Sequence, residues 1–181
     1  MKLGSPRTIK KIIGTLKGLQ LQYIGRAADL LWAGFGALHD SPKSKSGKRA
    51  EWALHLQCSW RITRLSEIVV SVGDFYVAPN LEDEYNWDAG GESLFDMLCG
   101  KFMAELKKHP LHVIDITYDN AGGFSLLFER NYRLDVFPAR SSLRNDEHWR
   151  LFQPDVNTDH YVFSKMKIRK ARETRNRKFR K

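Results

Sequence analysis

Residues 52–62 read WALHLQCSWRI, and this stretch decides the fold class that the sequence predicts. Apolar residues occupy every second position, and mostly polar side chains stand between them. Because successive side chains on a strand point to opposite faces, a period of two indicates one buried and one exposed face. Such half-buried strands are typical of antiparallel sheets. The apolar positions are Trp52, Leu54, Leu56, Cys58, Trp60 and Ile62.

Shorter segments of the same kind follow toward the C-terminus. Asn and Gly accept a left-handed backbone at little cost, so the sequence DNAGG at 119–123 predicts a tight turn between two of them. Pro138 ends another, because proline cannot donate to a sheet ladder. The predicted strands cover residues 68–72, 111–118, 124–128 and 132–136, with two short ones around 149–151 and 161–163.

Two segments show helical spacing instead. Ile9, Ile12, Ile13 and Leu16 recur three and four residues apart, which places them on one helix face. A longer series begins at Leu94 and stops before Pro110; it comprises Leu94, Met97, Leu98, Phe102 and Leu106. We therefore predict an α+β fold: a single antiparallel sheet of about six or seven strands with N-terminal and central helices packed on one face.

The positive charge of the chain is concentrated at its C-terminal end. The 181 residues include 30 Lys and Arg against 21 Asp and Glu, a formal net charge of +9. All of this excess lies in residues 165–181, which hold ten cations and the single acid Glu173, so residues 1–164 are neutral. The length suits one domain. We predict a single α+β domain at 1–164 and a basic, flexible tail at 165–181.

Motifs for known chemistries are missing from the sequence. A phosphate-binding P-loop needs Ser or Thr after Gly-Lys, whereas Gly47-Lys48 is followed by Arg49. No CxxC or HExxH occurs, so we expect neither a metal nor a cofactor. A hydrolase with an unrecognised carboxylate site is the second alternative function, because paired acids can perform acid–base chemistry. The acids concerned are Asp74, Asp115, Asp119 and Glu147.

Tryptophan beside arginine and acids is typical of protein interfaces, and it occurs here in two places. We predict that these side chains form a partner-binding surface: Arg61, Trp87, Asp88, His148, Trp149 and Arg150. The alternative is that the tryptophans belong to the core and that the arginines pair with acids at the rim of the sheet.

The basic tail is the strongest chemical feature. Cations at this density bind phosphates, and their affinity falls as salt rises. A nucleic-acid-binding protein anchored by this tail is the first alternative function, while anionic lipid or a merely solvated tail stays open. The predicted contacts are Lys165, Lys167, Arg169, Lys170, Arg172, Arg175, Arg177, Lys178, Arg180 and Lys181.

Short motifs are spread over about residues 50–164, at Trp60-Arg61, Asp74, Trp87-Asp88, Phe95-Asp96, Leu134–Pro138 and Glu147–Phe152. On these motifs, the chain resembles a family of small uncharacterised bacterial α+β proteins. The resemblance implies a stand-alone bacterial domain and no catalytic residues. With no signal-peptide apolar region and only two cysteines, we expect a cytoplasmic protein. Our first hypothesis is a non-enzymatic interaction module, of an immunity or accessory type, that binds another protein.

Overall fold

A computed structural model describes residues 6–80, 82–86, 92–141, 143, 146–156, 158–164 and 167–171. Eleven strands form one antiparallel sheet, in the order β11-β10-β9-β3-β2-β1-β6-β7-β8-β4-β5. Two α-helices accompany it, α1 (Pro6–Ile13) and α2 (Leu94–Lys108). The strands are β1 (Gln20–Ala27), β2 (Leu30–Asp40), β3 (Lys48–Leu56), β4 (Ser59–Arg64), β5 (Glu67–Ser71), β6 (Leu111–Tyr118), β7 (Phe124–Phe128), β8 (Tyr132–Phe137), β9 (Glu147–Phe152), β10 (His160–Ser164) and β11 (Lys167–Ala171).

The predicted sheet of six or seven strands with helices on one face is wrong, although both predicted helices are present. The prediction missed β1 and β2, where glycines interrupt the pattern. Leu31, Ala33 and Phe35 nevertheless alternate there, and all three are buried. The stretch 52–62 is not one strand, because β3 ends at Leu56 and β4 begins at Ser59.

The sheet consists of two parts that barely touch along their common edge. We call β11-β10-β9-β3-β2-β1 the first half-sheet and β6-β7-β8-β4-β5 the second half-sheet. The ladder between β1 and β6 has two residue pairs, Gln20 with His112 and Leu21 with Leu111, and the backbone of Val113 adds hydrogen bonds to Gly18 and Leu19. The inner faces meet elsewhere, since the indole Nε1 of Trp149 on β9 donates to the carbonyl oxygen of Gly122 in the β6–β7 turn, 2.8 Å away. The sheet therefore curves around a common core.

Helix α2 covers the edge of β1 where β6 has turned away. The backbone N–H of Ile24 donates to the sulfur of Met103 at 3.4 Å, and the Cys99 thiol donates to the Ile24 carbonyl oxygen at 3.6 Å. Ser93 begins the helix with a capping box: its hydroxyl accepts from the backbone of Asp96, whose carboxylate accepts in return from the Ser93 backbone. These contacts satisfy edge groups that would otherwise lack partners.

The predicted inward face of 52–62 is confirmed by burial, because the side chains from Leu54 to Ile62 at alternating positions lie in the core. Trp60 packs there against the rings of Phe75 and Phe95. At the far edge, β11 pairs with β10 and Ile168 is buried, so the sheet includes residues 167–171 of the segment predicted as tail. Among the described residues, no helix is long and apolar enough to cross a membrane.

Candidate functional site

A cleft of about 670 Å³ opens on the outer face of the first half-sheet. Its volume falls within the range of small-molecule sites, roughly 300–1,000 Å³. We call it the aromatic cleft. The lining residues come from β1, β2, β3, β9, α2 and the β2–β3 connection: Tyr23, Ile24, Trp32, Ala33, Lys43, Ser44, Lys45, Ser46, Lys48, Arg49, Ala53, His55, Met103, Phe152 and Pro154.

The cleft exists because small residues stand between large rings on one row of the sheet. Directly opposed residues of neighbouring strands share a face. The register therefore aligns Tyr23, Gly34, Ala53 and Phe152 across four strands. Gly34 makes room for the Tyr23 ring to lie over it, and the small Ala53 beside it leaves a trough between the Tyr23 and Phe152 rings.

A second row of the same face repeats the arrangement. It runs through Gly25, Trp32, His55 and Arg150. The Trp32 ring lies over Gly25 so closely that a Cβ there would stand 2.2 Å from the indole, and a Cβ on Gly34 would stand 2.3 Å from the Tyr23 ring. The two glycines thus let the two rings lie across the strands.

Tyr23 is held in place by an irregularity in the neighbouring hairpin. The β2–β3 register shifts between Phe35 and Leu38, at Gly36. The Tyr23 hydroxyl accepts a hydrogen bond of 3.0 Å from the backbone N–H of Ala50 nearby. The ring edge-packs against Trp32 at a centroid distance of 5.5 Å. These contacts fix one wall of the cleft.

Four cations stand at the rim on a single short segment. We call residues 41–49 the lysine loop; Lys43, Lys45, Lys48 and Arg49 all line the cleft. Its backbone closes on itself, since the N–H of Ser41 donates to the Gly47 carbonyl oxygen and the N–H of Gly47 donates to that of Ser44. The loop therefore holds its cations over an apolar floor.

Acidic groups compensate only part of this charge. Arg49 lies 3.4 Å from Asp155, and Lys48 lies 3.9 Å from Asp40. Lys43 and Lys45 form no ion pair within the part of the chain that the structure describes. The described lining also contains no carboxylate. The rim consequently favours an anion.

His55 supplies the one imidazole of the described lining. Burial, together with the nearby charge of Arg150, lowers its pKa to about 4. The ring packs edge-on against Phe152 at 4.8 Å, and Phe152 stacks on His160 at 4.3 Å. At neutral pH, His55 is therefore an uncharged ring with one donor and one acceptor nitrogen.

No cysteine is among the described residues that line the cleft. Both cysteines lie in the core, and burial raises the pKa of Cys58 to about 12 and that of Cys99 to about 11. Within the described ranges, no three His, Cys, Asp or Glu side chains are placed to hold a metal ion. The site can bind an apolar body and an anionic group side by side.

The predicted partner-binding residues do not form one surface. Trp149 is buried and stacks on Phe163 at 5.2 Å, and His148 is also buried. Arg150 makes two hydrogen bonds to Glu147 beside the aromatic cleft. Arg61 belongs to the second half-sheet, where it pairs with Asp135. Trp87 and Asp88 lie outside the described residues.

The four acids proposed for hydrolysis each have a local partner. Asp74 accepts from the backbone N–H of Ser71, and the Asp119 carboxylate accepts from two backbone N–H groups of its own turn. Asp115 pairs with Lys17 at 2.8 Å, and Glu147 pairs with Arg150. Asp115 and Asp119 belong to β6 and the turn after it, whereas Glu147 lies on β9.

Three of the predicted nucleic-acid contacts are described, and all three lie on β11. Lys167, Arg169 and Lys170 are exposed, and Lys170 lies 3.6 Å from Asp159. The others, Lys165, Arg172, Arg175, Arg177, Lys178, Arg180 and Lys181, lie outside the described residues.

Sequence reasoning missed the rings and glycines of the cleft. Tyr23, Trp32, Gly25 and Gly34 belong to the two strands that were not predicted. The alternation of Leu31, Ala33 and Phe35 could have revealed β2 and placed Trp32 on its opposite face. No pattern within one strand could have shown that Phe152 completes the row.

Comparison with known proteins adds no relative. No family profile matches the chain, and neither a curated protein nor a solved structure matches it. The resemblance to small bacterial proteins over residues 50–164 therefore stays a prediction.

Proposed function

We propose that the protein is a non-enzymatic binding module whose aromatic cleft takes an amphipathic anion. The proposal keeps the non-enzymatic binding role that the sequence predicts, but its ligand is an amphipathic anion in the cleft in place of a protein partner. The apolar part of the ligand would lie between the rings of Tyr23 and Phe152, and its acidic group would meet the lysine loop. The proposal rests on one observation: Lys43 and Lys45 line the same cleft as the apolar and aromatic side chains, and they have no ion pair among the described residues.

The chemistry of the site favours binding over turnover. Burying apolar ligand surface contributes roughly 25 cal/mol per Å² removed from water. Cations at a partly dry rim add charge-assisted hydrogen bonds, which are stronger than those between neutral groups. Neither contribution needs a general base, and burial keeps the His55 ring of the lining uncharged at neutral pH by lowering its pKa to about 4.

A pair of matched dyes tests the proposal. The dyes are 8-anilinonaphthalene-1-sulfonate, which is an aromatic anion, and N-phenyl-1-naphthylamine, which has the same rings without the sulfonate. We expect Lys43→Glu/Lys45→Glu to weaken the anionic dye about tenfold, because two partly exposed charges contribute on the order of 1.4 kcal/mol together. The neutral dye should bind the variant and the wild type equally. Fluorescence titration gives both affinities.

Two further variants serve as controls. Lys11→Glu/Lys101→Glu reverses two exposed lysines on the helices, outside the cleft lining, and should leave both dyes unaffected. Ala53→Leu fills the middle of the trough and should weaken both dyes, while its thermal melt stays cooperative. Equal binding of the anionic dye to the wild type and to both lysine variants would contradict the proposal.

A further inference from the structure

We infer that the anion is single-stranded nucleic acid, with one base in the aromatic cleft and the flanking phosphates on cations to either side. This inference rests on the proposed function and names the ligand class. It draws on three features: the rings and imidazole of the cleft, the lysine loop at one side, and the cationic edge strand β11 at the other.

The cleft has the groups that bind an unpaired base. Bases stack on aromatic side chains, and this contact is tolerant of sequence because every base has a π-face. Trp32 provides such a ring in the lining, and Phe152 stands beside it with one face already stacked on His160. The neutral imidazole of His55 can donate to or accept from a base edge, because its pKa of about 4 keeps it uncharged. Bases in a duplex are already stacked and paired, so the cleft favours a single strand.

Two groups of cations lie beside the cleft on the outer face of the first half-sheet. On one side stand Lys43 and Lys45 of the lysine loop. On the other, the register places Arg169 of β11 on the row of His55 and Arg150, with the buried Val162 between them. Strands lie about 4.8 Å apart, so His55 and Arg169 are separated by roughly 14 Å across three steps. A ligand that meets both groups of cations needs several linked anionic groups.

The amino-acid sequence extends the second group of cations. The described fold ends at Ala171, which pairs with His160, and the His160 ring stacks on Phe152 of the cleft. The ten residues that follow, RETRNRKFRK, hold six further Lys and Arg and one acid. Three of the predicted nucleic-acid contacts, Lys167, Arg169 and Lys170, lie on β11, two strands from β9 of the cleft.

Fluorescence anisotropy with fluorescein-labelled 12-mers of oligothymidylate and oligouridylate tests this inference across a salt series. The full-length chain should bind both single strands more tightly than a 12-base-pair duplex, and unlabelled oligonucleotide should displace the anionic dye from the cleft. Ala53→Leu should weaken oligonucleotide binding by roughly 5- to 150-fold, the range for one stacked base. It should leave the salt dependence unchanged.

A full-length variant with Arg175, Arg177, Lys178 and Arg180 changed to Gln should act differently. We expect the slope of log affinity against log salt to fall by about 0.7 for each phosphate that the variant no longer neutralises. The variant should retain the anionic dye, because the cations of the described lining are unchanged in it. Arg169→Gln should lower the slope by the amount expected for about one phosphate.

Several outcomes would overturn the inference, and they differ from those that would overturn the proposed function. If Ala53→Leu loses the dye but binds oligonucleotide like the wild type, the tail alone binds nucleic acid and the cleft takes another anion. Equal affinity for duplex and single strand, or binding only to vesicles of phosphatidylserine, also rejects it. If the dye fails to bind the wild type, the proposed function itself is rejected.

Discussion

The two half-sheets are both antiparallel and both cover the core with a buried tryptophan, yet their outer faces are built differently. In the first half-sheet, glycines at 25 and 34 remove side chains from the face, and the rings of Tyr23 and Trp32 lie across the vacated positions. The result is a cleft with an apolar floor. Its cations lie above it on a separate loop and are only partly neutralised.

In the second half-sheet, a polar network occupies part of the outer face, beside a cleft of about 540 Å³ that includes Arg61 and Arg133 in its lining. Asp135 on β8 is 1% exposed and accepts hydrogen bonds from Arg61, Arg133 and Ser125. Burial alone would raise the pKa of the Asp135 carboxyl, but these hydrogen bonds outweigh it and hold the pKa below its usual value. Both guanidinium groups therefore bind a carboxylate of the protein itself, that of Asp135.

This difference explains why the predicted site and the candidate site are not the same place. The charge of Arg61 singles it out in the sequence, but this side chain is already paired with Asp135, which it shares with Arg133. Lys43 and Lys45 looked like an ordinary polar loop in the sequence. They become distinctive because the fold places them above rings from three strands. The binding capacity of a cation depends on its local partners more than on its residue type.

The largest effect that we predict concerns the two tryptophans of the inner faces. Trp149→Ala and Trp60→Ala should each lower the free energy of unfolding by about 3–5 kcal/mol, as large-to-small core substitutions do. Both side chains are at most 2% exposed. Urea denaturation measures the change. A loss below about 1 kcal/mol for either variant would show that its tryptophan is not packed in the core.

Phenylalanine substitutions separate the two halves more sharply. The Trp149 indole donates to the Gly122 carbonyl oxygen, so Trp149→Phe leaves a buried acceptor without its partner. The Trp60 indole nitrogen is buried and has no hydrogen-bond partner within the described structure. Trp149→Phe should therefore cost about 1–2 kcal/mol more than Trp60→Phe. Equal costs would mean that the Gly122 contact does not join the half-sheets.

The next effect is the pH dependence of stability that His55 produces on the outer face of the first half-sheet. The pKa of His55 falls from 6.5 in the unfolded chain to about 4 in the fold. As pH falls below 6.5 the unfolded chain binds a proton that the fold refuses, so stability is complete above pH 6.5 and is lost toward pH 4. We expect this site to contribute roughly 2–3 kcal/mol of the loss.

Urea denaturation of the wild type and of His55→Gln at pH 7 and pH 4.5 checks this sign. The stability of the variant should fall less between the two pH values, because Gln does not titrate. His148→Gln is the matched comparison outside the described cleft lining. Burial also lowers the pKa of the His148 ring, so this variant tests the same titration at a site away from the cleft. An identical pH dependence for the wild type and His55→Gln would show that the His55 ring is hydrated and that burial does not lower its pKa.

The sequence allowed prediction of those elements whose pattern is complete within one segment. The helix at 94–108 was predictable because Ser93, the apolar spacing and Pro110 agree. Strand β8 was predictable for the same reason, since Leu134 and Val136 alternate with charged residues. In β1 and β2, the inner face alternates, but Gly25 and Gly34 take outer-face positions where a side chain would help to mark a strand. Their function appears only when Tyr23 and Trp32 from the neighbouring strand are in place.

The site was less predictable than the fold, because its residues share no local pattern. Phe152 lies about 120 residues beyond Trp32 in the sequence, and only the β3–β9 pairing brings them to one face. The lysine loop was visible as a cluster of cations, but its apolar floor was not. Long-range strand pairing is set by the whole sheet, so composition alone cannot supply it.

The smallest effect that we predict compares one substitution at two glycines. Gly34→Ala places a Cβ 2.3 Å from the Tyr23 ring, and the rigid ring must move because its hydroxyl is bonded to the backbone of Ala50. We expect a loss of about 1–2 kcal/mol of unfolding free energy, as overpacking produces. The two dyes should also bind more weakly, because Tyr23 forms one end of the trough.

Gly100→Ala is the matched control, since it adds the same methyl group in α2 where a Cβ has no neighbour within 4 Å. Alanine in a helix interior should stabilise the fold by about 0.5–1 kcal/mol and leave dye binding unchanged. The two variants therefore move stability in opposite directions from one chemical change. If Gly34→Ala behaves like Gly100→Ala, Tyr23 is free to leave the trough, and the cleft is not a fixed consequence of the glycines beneath it.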